Sequence, residues 1–270
     1  MIKILKTKFS PLLRLLKRKE YYRYLFLLGK YYNYPRFQTK LITFLNFKIY
    51  AVDCLSFVFQ FKEIFLNEVY KFNCDNESPI IIDCGANIGV SCLYFKKLYP
   101  KSRIIAIEAD NKIVEILKKN FEINGYQDID VINKAVWKDN DGVEFSSDGA
   151  DGGSIVNLVN KNFIPSIRLK EILNKYPKID FLKIDIEGAE TDVIVDCNES
   201  LLVADRIFVE YHSWSGNPQS LSKLLNTLTS NNFRFYIEHV NSILSPLEDK
   251  GKIANFNLQL NIYAINQKLN

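Results

Sequence analysis

Four short segments of this chain gather the residue types from which a catalytic cleft can be built. The first, Ile81-Ile82-Asp83-Cys84-Gly85-Ala86-Asn87-Ile88-Gly89, reads as an apolar strand running through a glycine turn into a helix. A dinucleotide site spaces its glycines so that the second one lets the backbone approach a pyrophosphate. Here Asn87 stands at that second position and would crowd a diphosphate, while Asp83 would repel one. Both features suit a ligand with no phosphate and a positive centre, a description that S-adenosylmethionine meets. Gly85 permits the tight turn and Gly89 lets the helix pack close to the strand. By itself such a turn is weak evidence, and an ordinary strand-to-helix turn beside an incidental Asp is the competing reading.

The second segment, Ile104 to Asp110, ends a strand on Glu108, 19 residues beyond Gly89. A carboxylate there can accept both hydroxyls of a ribose. The competing role, capping the following helix, suits Asp110 better. The third, Phe181 to Glu190 (FLKIDIEGAE), carries Asp185, Glu187 and Glu190 onto the end of another strand. Lys183 interrupts the apolar run and is expected to reach a carboxylate or a strand end. Glu190 is explained as an acid at a helix N-terminus; Asp185 is not, and Glu187 reads either way. The fourth, Arg206 to His212, places one of the two histidines of the chain beside Glu210. A histidine there can act as a general base near neutral pH, though a lone histidine also serves as an ordinary structural residue, the reading given to His239.

The elements that must hold these residues are legible from periodicity. Strands are expected at Ile80–Cys84, Arg103–Glu108, Ile129–Asn133, Phe181–Ile186 and Arg206–Tyr211, and helices at Ile88–Leu98, Asn111–Asn124, Leu169–Lys175 and Pro218–Ser230. Alternating strands and helices imply a parallel sheet covered on both faces, with ligands beyond the carboxyl ends of the strands. Late strands at Phe233–His239 and Leu258–Ile265 lack room between them for a helical crossover, which predicts an antiparallel pair at one edge. Val143–Ser154, rich in Asp and Gly, reads as an inserted hairpin or loop. Ahead of this unit, residues 1–78 form an N-terminal extension and residues 79–270 the catalytic domain. In the extension Phe9, Leu12, Leu13 and Leu16 fall at helical spacing, and Pro35 ends a helical region. Leu55–Tyr70 starts with strand-like alternation and turns helix-like.

Composition bounds the class. With 270 residues, 47% hydrophobic and 24% charged, the chain matches a globular protein and excludes a disordered or collagenous one. No apolar run approaches the ~20 residues of a membrane-spanning helix, and no signal-peptide cleavage site follows an apolar core. A cytoplasmic location is expected. The five cysteines form no CxxC pair or Cys/His cluster and read as reduced, buried thiols. The net charge of +4 conceals an asymmetry: residues 1–40 carry eleven Lys or Arg and one acid, and the remainder is net −6. An acidic body argues against a nucleic-acid partner. The basic arm, with six of the fifteen tyrosines between Tyr21 and Tyr34, reads either as a helical cap with a solvated face or as a contact with an anionic membrane surface through residues 1–40.

In this order and spacing the segments DCGANIG, IEAD, NKAV (Asn133–Val136), FLKIDIEGAE and VEYH resemble the FkbM-type S-adenosylmethionine-dependent methyltransferases. The resemblance spans about Ser78 to Tyr211, is most specific in FLKIDIEGAE, and extends to the preceding FKEIFLNEVY. It implies an α/β, Rossmann-like class I methyltransferase with a seven-stranded, mostly parallel sheet and a mostly helical N-terminal extension. It also implies O-methylation, with a sugar hydroxyl of a glycan or glycoconjugate as acceptor. By position Asp83, Gly85, Ala86, Asn87 and Gly89 would hold the methionine end of the cofactor. Glu108 with Ala109 would hold the ribose, Ala135 would lie near the adenine, and Asp185 would face the methyl group.

Methyl transfer is an in-line displacement, and a sugar hydroxyl needs a base within ~3 Å. His212 or Asp185 is expected in that role, with Glu187 beside them. Alternatively Asp185 and Glu210 hold a divalent cation that lowers the pKa of the hydroxyl. Rival functions are methylation of another small molecule, an RNA base or a protein nitrogen, and a non-catalytic cofactor-binding protein. A nicotinamide oxidoreductase is disfavoured by Asn87.

Overall fold

The computed structural model describes residues 16–146, 161–214, 216–240 and 258–268, with Ser245 and Glu248. The expected helix around Phe9–Leu13 and most of the Asp/Gly-rich loop lie outside them. The described N-terminal part begins with helix α1 (Lys19–Tyr31), which ends ahead of Pro35. Strands β1 (Lys40–Phe44) and β2 (Phe47–Ala51) then form an antiparallel hairpin, a feature the sequence reading did not separate from its surroundings. Leu45 supplies the positive φ of 46° at its tip, a position normally given to glycine.

Helix α2 (Cys54–Phe61) follows and continues as a π-helical turn over Lys62–Leu66. The strand-like start expected here is corrected: Asp53 caps the helix, its carboxylate accepting the Ser56 N–H at 2.9 Å. Cys54, Phe57, Val58 and Phe61 are buried at helical spacing. The alternating aromatics at 57, 59 and 61 only imitate a strand, since Phe59 points outward.

The sheet-forming part of the chain opens with β3 (Ile80–Cys84), followed by α3 (Val90–Leu98), β4 (Arg103–Glu108), α4 (Asn111–Ile123) and β5 (Asp130–Asn133). Three short strands come next: β6 (Ala135–Trp137), β7 (Val143–Ser146) and β8 (Lys161–Ile164). β7 and β8 pair antiparallel, β8 lying beyond the Val143–Ser154 segment expected as a hairpin or loop. Next, β9 (Ser166–Arg168) runs parallel to β6 and leads into α5 (Leu169–Leu173). The chain finishes with β10 (Phe181–Ile184), α6 (Glu190–Cys197), β11 (Arg206–Ser213), α7 (Leu221–Ser230), β12 (Phe233–His239) and β13 (Leu258–Asn266).

Seven strands form the central sheet in the order β12-β13-β11-β10-β3-β4-β5, parallel except that β13 is antiparallel to both its neighbours. This is the class I methyltransferase arrangement, with its antiparallel strands at one edge as expected. The order reverses between β3 and β10, so their carboxyl ends open a crevice at the switch point.

Residues alternate between two cores, as strands buried on both faces require. Ile81, Ile104, Ala106, Phe181 and Phe208 face α3, α4 and the N-terminal elements. Ile82, Ile105, Ile107, Leu182, Ile184 and Val209 face α5, α6 and α7. The extension thus shares a core with the sheet. Asn120 of α4 fastens it further, accepting the Tyr50 N–H at 2.6 Å and donating to the Ile88 carbonyl at 2.9 Å. On the outside, α1 exposes Tyr22, Leu25 and Phe26.

Candidate active site

Two charges interrupt the apolar runs of β3 and β10, and the register sets them side by side: Lys183 is the cross-strand partner of Asp83. Both side chains are buried, with the Lys183 Nζ 3.1 Å from Asp83 and 3.2 Å from Asp185. Lys183 also donates to the Gly85 carbonyl at 2.9 Å, so the expected reach to a carboxylate and a strand end is met on both counts. Burial opposes the ammonium charge, but the carboxylates of Asp83 and Asp185 outweigh it and hold the lysine well above its ordinary range.

Beyond these strand ends lies a cleft of about 310 Å³, large enough for a small-molecule ligand. Gly85, Ala86, Asn87, Glu108, Ala109, Ala135, Asp185 and Glu187 line it, as expected of cofactor and catalytic residues. The expected base His212 does not line it, and neither do two expected cofactor residues. The Asp83 carboxylate points below the cleft floor, occupied by Lys183, by the Ser91 hydroxyl and by the Cys92 thiol at 3.3 Å. Gly89 faces helix α4, where a Cβ would stand 2.7 Å from Leu117 and Phe121, so it is a packing glycine. Their roles are to support the turn.

The Glu108 carboxylate accepts the backbone N–H of Asn87 and that of Asp110, each at 2.9 Å. Each oxygen keeps lone pairs for a further donor, the requirement for receiving a pair of neighbouring hydroxyls. Burial raises the Glu108 pKa, against the opposing pull of those N–H groups. Asp110 caps α4, accepting from Lys112 at 2.8 Å, as its position predicts. Asn133 ties the end of β5 to β4 by donating to the carbonyls of Glu108 and Ala109 at 3.0 and 3.1 Å. Ala109 and Ala135 add small side chains to the same wall.

On the other side of Gly85 sits an acidic pocket. Strand β11 continues through His212, so the histidine lies within the strand and not after it. The His212 Nδ1 contacts Glu190 at 3.1 Å, and its Nε2 lies 3.7 Å from both Glu187 and Glu210. Trp214 stacks on the ring with centroids 5.9 Å apart. By its place in the sequence Glu190 is explained as a helix N-terminal acid. It begins α6 but is fully buried, accepting from Gly188 N–H at 2.9 Å and from Ile186 N–H at 3.2 Å. Only the tertiary pairing with a histidine 22 residues away reveals its second task.

Burial alone would strip the His212 ring of its proton. The hydrogen bond and charge of Glu190, reinforced by Glu187 and Asp185, reverse this and push the pKa up to about 10. The acids around it thus favour the charged form of the ring. Burial, opposed by the charge of His212 and aided by the other acids, pushes Glu187 up to about 8. Burial and Asp185 likewise push Glu210 up to about 7. Glu187 adopts a left-handed backbone, φ 56°, to turn into the pocket.

The mouth of the cleft holds Ser56, Phe59 and Gln60 from α2, with Val240 and Gln259, which no motif announced; Glu63 at the mouth and the buried Tyr70 fall in the FKEIFLNEVY segment. The places of Ser56, Phe59 and Gln60 follow from how the extension packs, which local spacing does not encode.

The model of the Methyltransferase FkbM domain matches residues 83–235, more than half of the chain and all four motif segments. The chain belongs to the FkbM methyltransferase family. Among its relatives, Methyltransferase sdnD of Sordaria araneosa is 27% identical over 195 residues, covering 56% of this chain and 72% of that protein. Methyltransferase 1 of Beauveria bassiana is 24% identical over 211 residues, covering 67% and 85%. A solved FkbM methyltransferase from Methylobacillus flagellatus aligns at TM-score 0.47 and 17% identity, covering 71% of this chain and 45% of that one. This FkbM-family protein is therefore an S-adenosylmethionine-dependent methyltransferase. The residues fit that donor: a phosphate-free turn at Asn87, a pinned Glu108 for vicinal hydroxyls, and carboxylates at the end where a sulfonium charge would lie. Among the described residues no helix is long and apolar enough to cross a membrane.

Proposed function

We propose that this methyltransferase acts on a hydroxyl oxygen of a sugar, within a glycan or glycoconjugate. The observation that carries the reading is the composition of the cleft mouth. Phe59 is 47% exposed and is flanked by Ser56, Gln60 and Glu63, with Gln259 at the same opening. One aromatic face for a ring, ringed by hydroxyl, amide and carboxylate groups, is a lining suited to a polyhydroxylated acceptor.

When bound, S-adenosylmethionine supplies a methyl carbon that departs from sulfur as an acceptor oxygen attacks it. In this reading Glu108 fixes the nucleoside end through two hydroxyls, and the Gly85–Asn87 turn holds the amino-acid end. Asp185, anchored by Lys183 at 3.2 Å, flanks the reacting groups, and its carboxylate receives the hydroxyl proton. Alignment on rigid strand ends supplies much of the rate.

The test is transfer of isotopically labelled methyl groups to a panel of saccharides, peptides and RNA. Label on a saccharide, lost when the corresponding deoxy sugar is offered, is the expected result. Label on RNA or a peptide nitrogen, with none on any saccharide, would overturn the reading.

A further inference from the structure

We propose that Asp185, Glu187 and His212 form a divalent-cation site that holds the acceptor hydroxyl beside the transferable methyl, an inference that rests on the methyl-transfer reading above. One ligand atom from each residue lies within 4.8 Å of the others. The three come from the end of β10, the turn after it and strand β11, so the grouping is fixed by the sheet and not by a single flexible loop.

The histidine supplies an independent observation. Its side chain is 7% exposed, and Nδ1 is committed to Glu190 at 3.1 Å, so Nε2 is left to face Glu187 and Glu210, two residues that line the cleft. The oxygens facing Nε2, from Glu187 and Glu210, stand at 3.7 Å, beyond hydrogen-bond range. A buried ring nitrogen turned toward carboxylates, with its other nitrogen held by a buried carboxylate, is the outer-shell pattern of metal-bound histidine. Glu190 is in turn fixed by the Ile186 and Gly188 N–H groups.

Two carboxylates and one imidazole favour a hard or borderline ion of the Mg²⁺ or Mn²⁺ kind. The earlier pairing of Asp185 with Glu210 is thereby revised, because Glu210 turns its carboxylate to the Gln259 amide. A bound cation would lower the pKa of a coordinated hydroxyl.

The test is Mn²⁺ titration of the full chain, followed by electron paramagnetic resonance, with S-adenosylhomocysteine binding measured alongside. One Mn²⁺ per chain is expected. Glu187→Gln and His212→Ala should each weaken it at least tenfold while S-adenosylhomocysteine binding is retained, and Glu190→Gln should weaken it by a smaller factor. Absence of Mn²⁺ binding at millimolar concentration, or variants that bind as wild type does, would overturn the proposal. So would full turnover after exhaustive EDTA treatment. A wild-type protein that fails to bind S-adenosylhomocysteine would count against the methyl-transfer reading, with the Mn²⁺ titration still deciding the cation site.

Discussion

A Cβ placed on Gly85 would stand 1.8 Å from the backbone carbonyl oxygen of Asp185. The two strand ends that frame the cleft therefore meet at a contact that no side chain can enter. Gly85 also holds φ at +81°, where other residues are strained. Gly85→Ala should cost roughly 2–6 kcal/mol, the sum of left-handed strain and overpacking. Urea unfolding would show it as a lowered midpoint, and a variant as stable as wild type would mean that the strand ends can separate freely.

Glu108 is fixed from two sides, by Asn87 and Asp110 N–H groups at 2.9 Å. Glu108→Gln would turn an amide NH₂ toward one of those donors and remove a charged acceptor. Affinity for S-adenosylhomocysteine should fall about 10- to 100-fold, equivalent to about 1.4–2.7 kcal/mol. Calorimetric titration checks this, and unchanged affinity would remove Glu108 from the nucleoside site.

How much of this was legible beforehand differs between elements for physical reasons. The central strands announced themselves because β3, β4 and β10 are buried on both faces and so read as short apolar runs. The β1–β2 hairpin stayed hidden because Leu45, not glycine, takes the positive φ at its tip. Helix α2 was obscured by Phe57, Phe59 and Phe61, whose alternation masks a helical burial pattern. Glu108, Asp185 and Glu187 were found because strand ends carry ligands in parallel sheets. The pairing of Glu190 with His212 was missed because a sufficient local explanation for Glu190 concealed a tertiary one.

The Asp83–Lys183 pair is buried, with Asp83 sealed off and Lys183 at the floor of the cleft. Lys183→Met would leave Asp83 buried without its cation and release the Gly85 carbonyl, a loss of roughly 3–5 kcal/mol. The double variant Asp83→Leu/Lys183→Met removes the buried pair but still leaves Asp185 without its lysine, and should recover part of that loss. Denaturant unfolding of the two variants separates the cost of an orphaned charge from the cost of lost volume; equal destabilisation would show that the electrostatic pairing contributes little.

Asp53 makes the stability of the extension depend on pH. Its buried carboxylate caps α2 through Ser56, accepts the Phe37 N–H at 2.9 Å and pairs with Arg36 at 2.6 Å. Burial works to raise its pKa, but the Ser56 and Phe37 N–H groups and the Arg36 guanidinium outweigh it, and the folded value lies below the ordinary 3.8. A depressed carboxyl pKa gives stability that is present in full above the unfolded value and is lost as pH falls through the folded one. Asp53→Ala should therefore destabilise the protein at neutral pH by about 1 kcal/mol or more through the lost cap alone. The gap between wild type and variant should narrow as the pH is lowered from about 5 to below the folded pKa. Thermal unfolding across that window checks both statements, and a gap that stays constant to the lowest accessible pH would show that Asp53 titrates alike in the folded and unfolded chain.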